Sequence, residues 1–164
     1  MGNIQFHNNK VLFANNKVAM HADCCCDISG CQGCSGDAPE EFSASISGVG
    51  DGDCDPGDCD AANGTFVVSY ISGPGATCLW RYTPSGLTIC GVSDCYLELT
   101  IVLIGGVYYC SLIWRSSSTL VVGWEKKPGS AFDCMNLSGY SLDPAATVPK
   151  KCEETGSTAT LTAL

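Results

Sequence analysis

The chain has 164 residues, with 8 Lys and Arg against 17 Asp and Glu and with 13 Cys. That length supports one sizeable core plus a small appendage, and no apolar run reaches the roughly 20 residues of a membrane-spanning helix. A net charge of −9, with no basic cluster longer than the pairs beginning at Lys126 and Lys150, repels polyphosphate and argues against nucleic acid as a partner.

Residues 1–23 hold a seven-residue repeat, HNNKVLF followed by ANNKVAM. Asn tolerates the left-handed backbone of two-residue hairpin turns, so Asn8-Asn9 and Asn15-Asn16 predict a three-stranded meander. Phe6 then faces Val11 and Phe13 faces Val18. Side-chain alternation gathers Ile4, Phe6, Val11, Phe13, Val18 and Met20 on one face. Burying six such side chains offers about 10 kcal/mol before ordering entropy is subtracted, so the ribbon is expected to dock. It packs either on the chain's own main domain or on a partner subunit.

Residues 24–40 carry Cys24, Cys25, Cys26, Cys31 and Cys34 among small polar residues, with no helix or strand period. This reads as an irregular Cys-rich linker. The spacing Cys26, Cys31, Cys34 matches part of a plant-type iron–sulfur site but lacks a clear fourth ligand. His21, Cys24, Cys26, Cys31 and Cys34 supply the nitrogen and sulfur ligands that zinc accepts. A disulfide knot is the favoured reading, since each bridge contributes about 2–4 kcal/mol where no core can form.

Cystines belong to oxidising compartments, yet MGNIQFHNNKVLF shows no basic n-region, apolar h-region or small-residue cleavage site. A virion component reconciles the two, because it assembles in reducing cytosol and is released by lysis. The expected location is therefore the particle.

From residue 41 to 164 the pattern is antiparallel β. FSASIS at 42–47 alternates strictly; TFVVSYI at 65–71 and ATCLWRY at 76–82 flank Ser72-Gly73-Pro74-Gly75 as a hairpin. YLELTIVLI and VYYCSLIW flank Gly105-Gly106, so Ile104 should pair with Val107 and Leu97, Leu99, Ile101 and Leu103 should share a core face with Tyr108, Cys110, Leu112 and Trp114. LVVGW at 120–124, a piece near Leu137 to Leu142 and ATLTA at 159–163 bring the total to about eight strands. The predicted fold is all-β: an antiparallel β-sandwich of two packed sheets. Trp80, Trp114 and Trp124 are expected in its core, and the six cysteines from Cys78 onward mostly in cystines inside it, Cys110 pointing inward.

Five carboxylates fall within Asp51–Asp60. Asp51, Asp53 and Asp55 mimic the opening of a calcium loop, although Pro56 stands where that loop needs Gly and Ala62 where it needs Glu. A solvated acidic loop pinned by disulfides is favoured over calcium, and a Cys54–Cys59 cystine would close a small carboxylate-lined ring. Catalytic constellations are thin. Both histidines lie in the ribbon, no nucleophile motif occurs, and Glu98 reads as a solvent-facing strand residue.

Two stretches carry a resemblance. IQFHNNKVLFANNKVAMHADCCC resembles the N-termini, ending in a Cys triplet, of uncharacterised proteins encoded among bacteriophage tail genes. NGTFVVSY, CLWRY, LELTIVLIGGVYYCSLIW and TATLTA are similar to an uncharacterised Cys-rich β-domain of phages and planctomycete-like bacteria. The resemblance implies a non-enzymatic structural part of a virion, in the tail, baseplate or fibre. Its partners would be other virion proteins, in copies of three or six. The alternatives are a carbohydrate-binding adhesin for host-surface glycans and a capsid decoration protein.

Overall fold

The computed structural model describes residues 12–14, 17–19, 33–34, 37–50, 59–72, 77–145 and 156–164, the first two for the backbone alone. Strands β1 (Leu12–Ala14) and β2 (Lys17–Ala19) form a two-stranded sheet with Phe13 opposite Val18, the register expected of a turn centred on Asn15-Asn16. Ile4, Phe6, Val11 and Met20, and with them the third strand of the meander, lie outside the described residues.

The remaining strands are β3 (Glu41–Ser47), β4 (Gly64–Ser72), β5 (Thr77–Tyr82), β6 (Tyr96–Ile104), β7 (Val107–Arg115), β8 (Leu120–Gly129), β9 (Tyr140–Pro144) and β10 (Thr158–Ala163). The all-β antiparallel class holds, but the two-sheet sandwich does not. β10 pairs with β3 on one side and β9 on the other, so the eight strands close into one barrel of order β10-β3-β4-β5-β6-β7-β8-β9.

Period-two patterning fills that barrel. Phe42, Ala44 and Ile46 of β3 point inward while Glu41, Ser43, Ser45 and Ser47 alternate outward, and β6 and β7 repeat the rule with Leu97, Leu99, Ile101, Cys110, Leu112 and Trp114 buried. Eight strands enclose a space just wide enough for side chains to fill, and Trp80, Trp114 and Trp124 fill it at 0% exposure. Phe42 stands edge-on to Trp80 at 5.1 Å, and Phe66 edge-on to Trp114 at 5.0 Å.

Turn chemistry and bulges set the register and the bend. Gly105 and Gly106 have φ of 58° and 81°, the paired left-handed geometry of a two-residue hairpin turn, and Ile104 pairs with Val107 as the sequence predicts. β4 shifts register at Ile71, and β8 shifts near each end, with Pro128 inside one of the irregular stretches. The β8–β9 seam is the shortest in the ring, with two residue pairs. Beyond it Lys126 Nζ reaches across and donates to the Ser141 carbonyl at 2.9 Å.

Candidate functional site

Antiparallel topology sorts the connections into two ends. The segment leading into β3, the β6–β7 turn and the β8–β9 loop gather at one end; the β3–β4, β5–β6, β7–β8 and β9–β10 connections gather at the other. Each end carries a cystine. Cys34, ahead of β3, bonds Cys134 in the 3-10 turn Cys134–Asn136 of the β8–β9 loop. Cys59, just before the 3-10 turn Asp60–Ala62, bonds Cys90 in the β5–β6 loop. Cys78 on β5 is disulfide-bonded as well. The leading segment lies directly on the barrel wall: a Cβ added to Gly33 would overlap the Ile101 carbonyl and the Cys78 sulfur, so this position has room only for glycine.

The three tryptophans repeat that pattern in hydrogen bonds. A buried indole N–H needs an acceptor, and each one finds it on a connecting segment rather than a strand. Trp80 Nε1 donates to the Pro39 carbonyl at 2.9 Å, Trp114 Nε1 to the Ala62 carbonyl at 3.2 Å, and Trp124 Nε1 to Ser157 Oγ at 3.1 Å. The segments before β3, β4 and β10 are thus latched to the core. Asn63 adds a two-way bond with the Val49 backbone, at 2.9 Å in each direction.

The outer wall formed by β5, β6, β7 and β8 holds the charged chemistry. Glu98 is not a simple solvent-facing residue: its side chain is 13% exposed and accepts from Arg81 at 2.7 Å and Arg115 at 3.2 Å. Both guanidinium groups also lie against the Tyr96 ring, at 4.4 and 6.0 Å from its centroid. Toward the other end of β8, Lys127 Nζ sits 5.1 Å from the Tyr109 ring beside a groove of about 350 Å³ lined by Tyr109, Cys110, Ser111, Glu125, Lys126 and Lys127.

No family model, curated protein or solved structure matches this chain. The site is therefore interpreted from its own chemistry.

Two thiols among the described residues are free, Cys95 and Cys110, and both are buried. Cys110 points inward as expected, and burial pushes its thiol up to about 12. Burial also raises the Cys95 thiol, opposed by a hydrogen bond with the Ile89 backbone and reinforced by Asp94. A nucleophilic cysteine requires the opposite shift.

The sulfur expectations need correcting at three points. Cys34, expected among the zinc ligands with His21, Cys24, Cys26 and Cys31, has its sulfur committed to Cys134 and offers no thiolate. The other four lie outside the described residues, as do Asp51, Asp53 and Asp55 of the calcium expectation. Cys59 bonds Cys90 rather than Cys54. Of the six later cysteines, Cys78, Cys90 and Cys134 are in cystines, Cys95 and Cys110 are thiols, and Cys152 is outside the described residues. The Cys34–Cys134 and Cys59–Cys90 cystines staple loops at the barrel ends instead of crossing its core. Among the described residues no cluster of three or more His, Cys, Asp or Glu could hold a metal ion.

Proposed function

We propose that this chain is a non-enzymatic structural subunit of a bacteriophage virion, in the tail, baseplate or fibre apparatus, hardened by cystines. The observation that carries the reading is a side-chain-filled barrel with one cystine fastening each end, Cys34–Cys134 and Cys59–Cys90. A barrel built to carry a ligand leaves its interior open, whereas here three indoles occupy the interior and bind the connecting segments. Cystines persist in oxidising surroundings, which a released particle meets, and the sequence resemblance to proteins encoded among tail genes supports the virion setting. Zinc or calcium on the Cys-rich and Asp-rich segments would act in the same sense, as further staples.

The test is a mass-spectrometric inventory of purified particles prepared without reductant. The subunit is expected at a fixed copy number, in threes or sixes for a tail position, with the Cys34–Cys134 and Cys59–Cys90 cystines intact. Its absence from particles, or hydrolytic activity of the purified chain, would overturn the reading. The adhesin alternative draws on the groove beside Tyr109, where one aromatic ring meets several polar groups. Loss of cell or glycan binding on Tyr109→Ala, with tails intact by electron microscopy, would favour it. A capsid decoration role differs only in the partner surface.

A further inference from the structure

Asn63 and Gly64 form the only Asn-Gly pair in the chain. Such a pair carries a chemistry of its own, because the backbone nitrogen of the second residue can attack the side-chain amide carbon of the first, and glycine hinders that approach least. The new C–N bond closes a succinimide ring as the C–Nδ2 bond breaks; the attacking nitrogen gives its proton to solvent and ammonia leaves. Water then opens the ring at either carbonyl, leaving aspartate or isoaspartate. Nothing is oxidised or reduced, and water is the only co-reactant. The fold keeps the reactive pair in place: Gly64 has φ of 142°, and a Cβ there would meet the Phe66 ring at 3.2 Å.

The structure commits the Asn63 amide elsewhere. Asn63 is extended, with φ of −85° and ψ of 142°. Val49 N–H donates to its Oδ1 and its Nδ2 donates to the Val49 carbonyl, at 2.9 Å each. The amide must leave both partners before its carbon can turn to the Gly64 nitrogen. Gly64 itself is exposed, so water reaches the pair once those bonds break. The clamp joins the two ends of the β3–β4 connection. Val49 is buried in the core, and the 3-10 turn Asp60–Ala62 that ends at Asn63 follows the Cys59–Cys90 cystine and supplies the carbonyl that holds the Trp114 indole.

We propose that Asn63-Gly64 is a guarded deamidation site, shielded by the Val49 clamp and modified only when that clamp opens. Conversion then prevents full reclosure, because a carboxylate has no N–H to donate and sets oxygen against the Val49 carbonyl oxygen. Converted chains therefore mark those in which this end of the barrel has opened. The chemistry is the same whether or not the chain belongs to a virion.

The experiment follows one opening with two probes on the full, oxidised chain. Peptide mass spectrometry measures conversion of Asn63 natively and in denaturing urea, and hydrogen exchange measures the Val49 amide, whose proton is bound to the same side chain. Because two hydrogen bonds must break, native conversion should be at least about tenfold slower than conversion in urea. The same opening frees the Val49 N–H, so its protection against exchange and the slowing of conversion should agree within a factor of about ten. Two comparisons in urea need no folded variant: Gly64→Ala should slow the conversion, and Asn136, followed by Leu137, should keep its amide while Asn63 converts. Native conversion as fast as in urea, no conversion in urea, Asn136 converting alongside Asn63, or protection of Val49 outside that factor would overturn the proposal.

Discussion

Removing the Cys34–Cys134 bridge by Cys34→Ala/Cys134→Ala should be the most damaging change that leaves the core side chains in place. The two residues are 100 positions apart, and the nested Cys59–Cys90 link cuts 31 of these out of the shortest path, leaving about 70. Loop-closure entropy varies only with the logarithm of length, so the bridge is worth about 4–5 kcal/mol by chain entropy whichever length is used. Two small voids at Cys34 and Cys134, which are 5% and 0% exposed, add about 1 kcal/mol. At about 2–4 °C per kcal/mol for a domain of this size, the melting temperature should fall by about 10–25 °C. The assay is calorimetry without reductant, paired with urea unfolding. Because the effect acts on the unfolded chain, the variant's m-value should rise as its denatured state expands. A melting shift below about 3 °C, or an unchanged m-value with a large shift, would refute the loop-entropy account.

Three further outcomes can be checked. Ser157→Ala leaves the Trp124 indole N–H buried without an acceptor and should cost about 1–3 kcal/mol in urea unfolding, with faster amide exchange at the start of β10; Trp124→Phe added to it should cost less than the sum of the two single changes. Glu98→Gln removes the only carboxylate shown between Arg81 and Arg115, and because both guanidinium groups are 30% exposed the loss should be about 1 kcal/mol and shrink in high salt. The Cys110 thiol, pushed by burial from its ordinary 9.0 up to about 12, keeps its proton in the fold while the unfolded chain loses its own. Stability should therefore fall as pH rises above about 9, by up to about 1.4 kcal/mol per pH unit for this group. Tyr140, raised by burial and then by Cys110 and Asp143, acts in the same direction. Cys110→Ala should flatten the alkaline loss in melts at successive pH values.

Most of the strand plan was legible because local signals agree with it. Gly105-Gly106 fixes one hairpin, the alternation of FSASIS fixes the inner face of β3, and each Trp occupies an inward strand position with a charged residue next in the chain. β8 extends further than LVVGW suggests, through Lys126, Lys127 and Pro128, because those residues lie along a short seam and a bulge where charge and proline are tolerated. Closure was not legible: an alternating strand pairs equally well in an open sheet or a ring, and only the double pairing of β10 decides between them. Nor were the cystine partners, since Cys59 could satisfy its sulfur locally with Cys54 and finds Cys90 only once the β3–β4 and β5–β6 connections share an end.

The pairing of β10 with β3 also dictates a folding schedule. Ser47 and Thr158 share a hydroxyl hydrogen bond across 111 residues, so the ring cannot close until nearly the whole barrel sequence is available. Contacts of such long range put acquisition of the native topology in the millisecond-to-second regime of β-rich domains rather than the microseconds of helical ones. During that delay the cysteines are unpaired neighbours in a disordered chain, and no native proximity selects Cys134 for Cys34 or Cys90 for Cys59. Geometry has to come first and oxidation second. Surroundings that keep thiols reduced until the barrel has closed would work as a proofreading interval, and premature oxidation should trap scrambled species that refold far more slowly than the reduced chain.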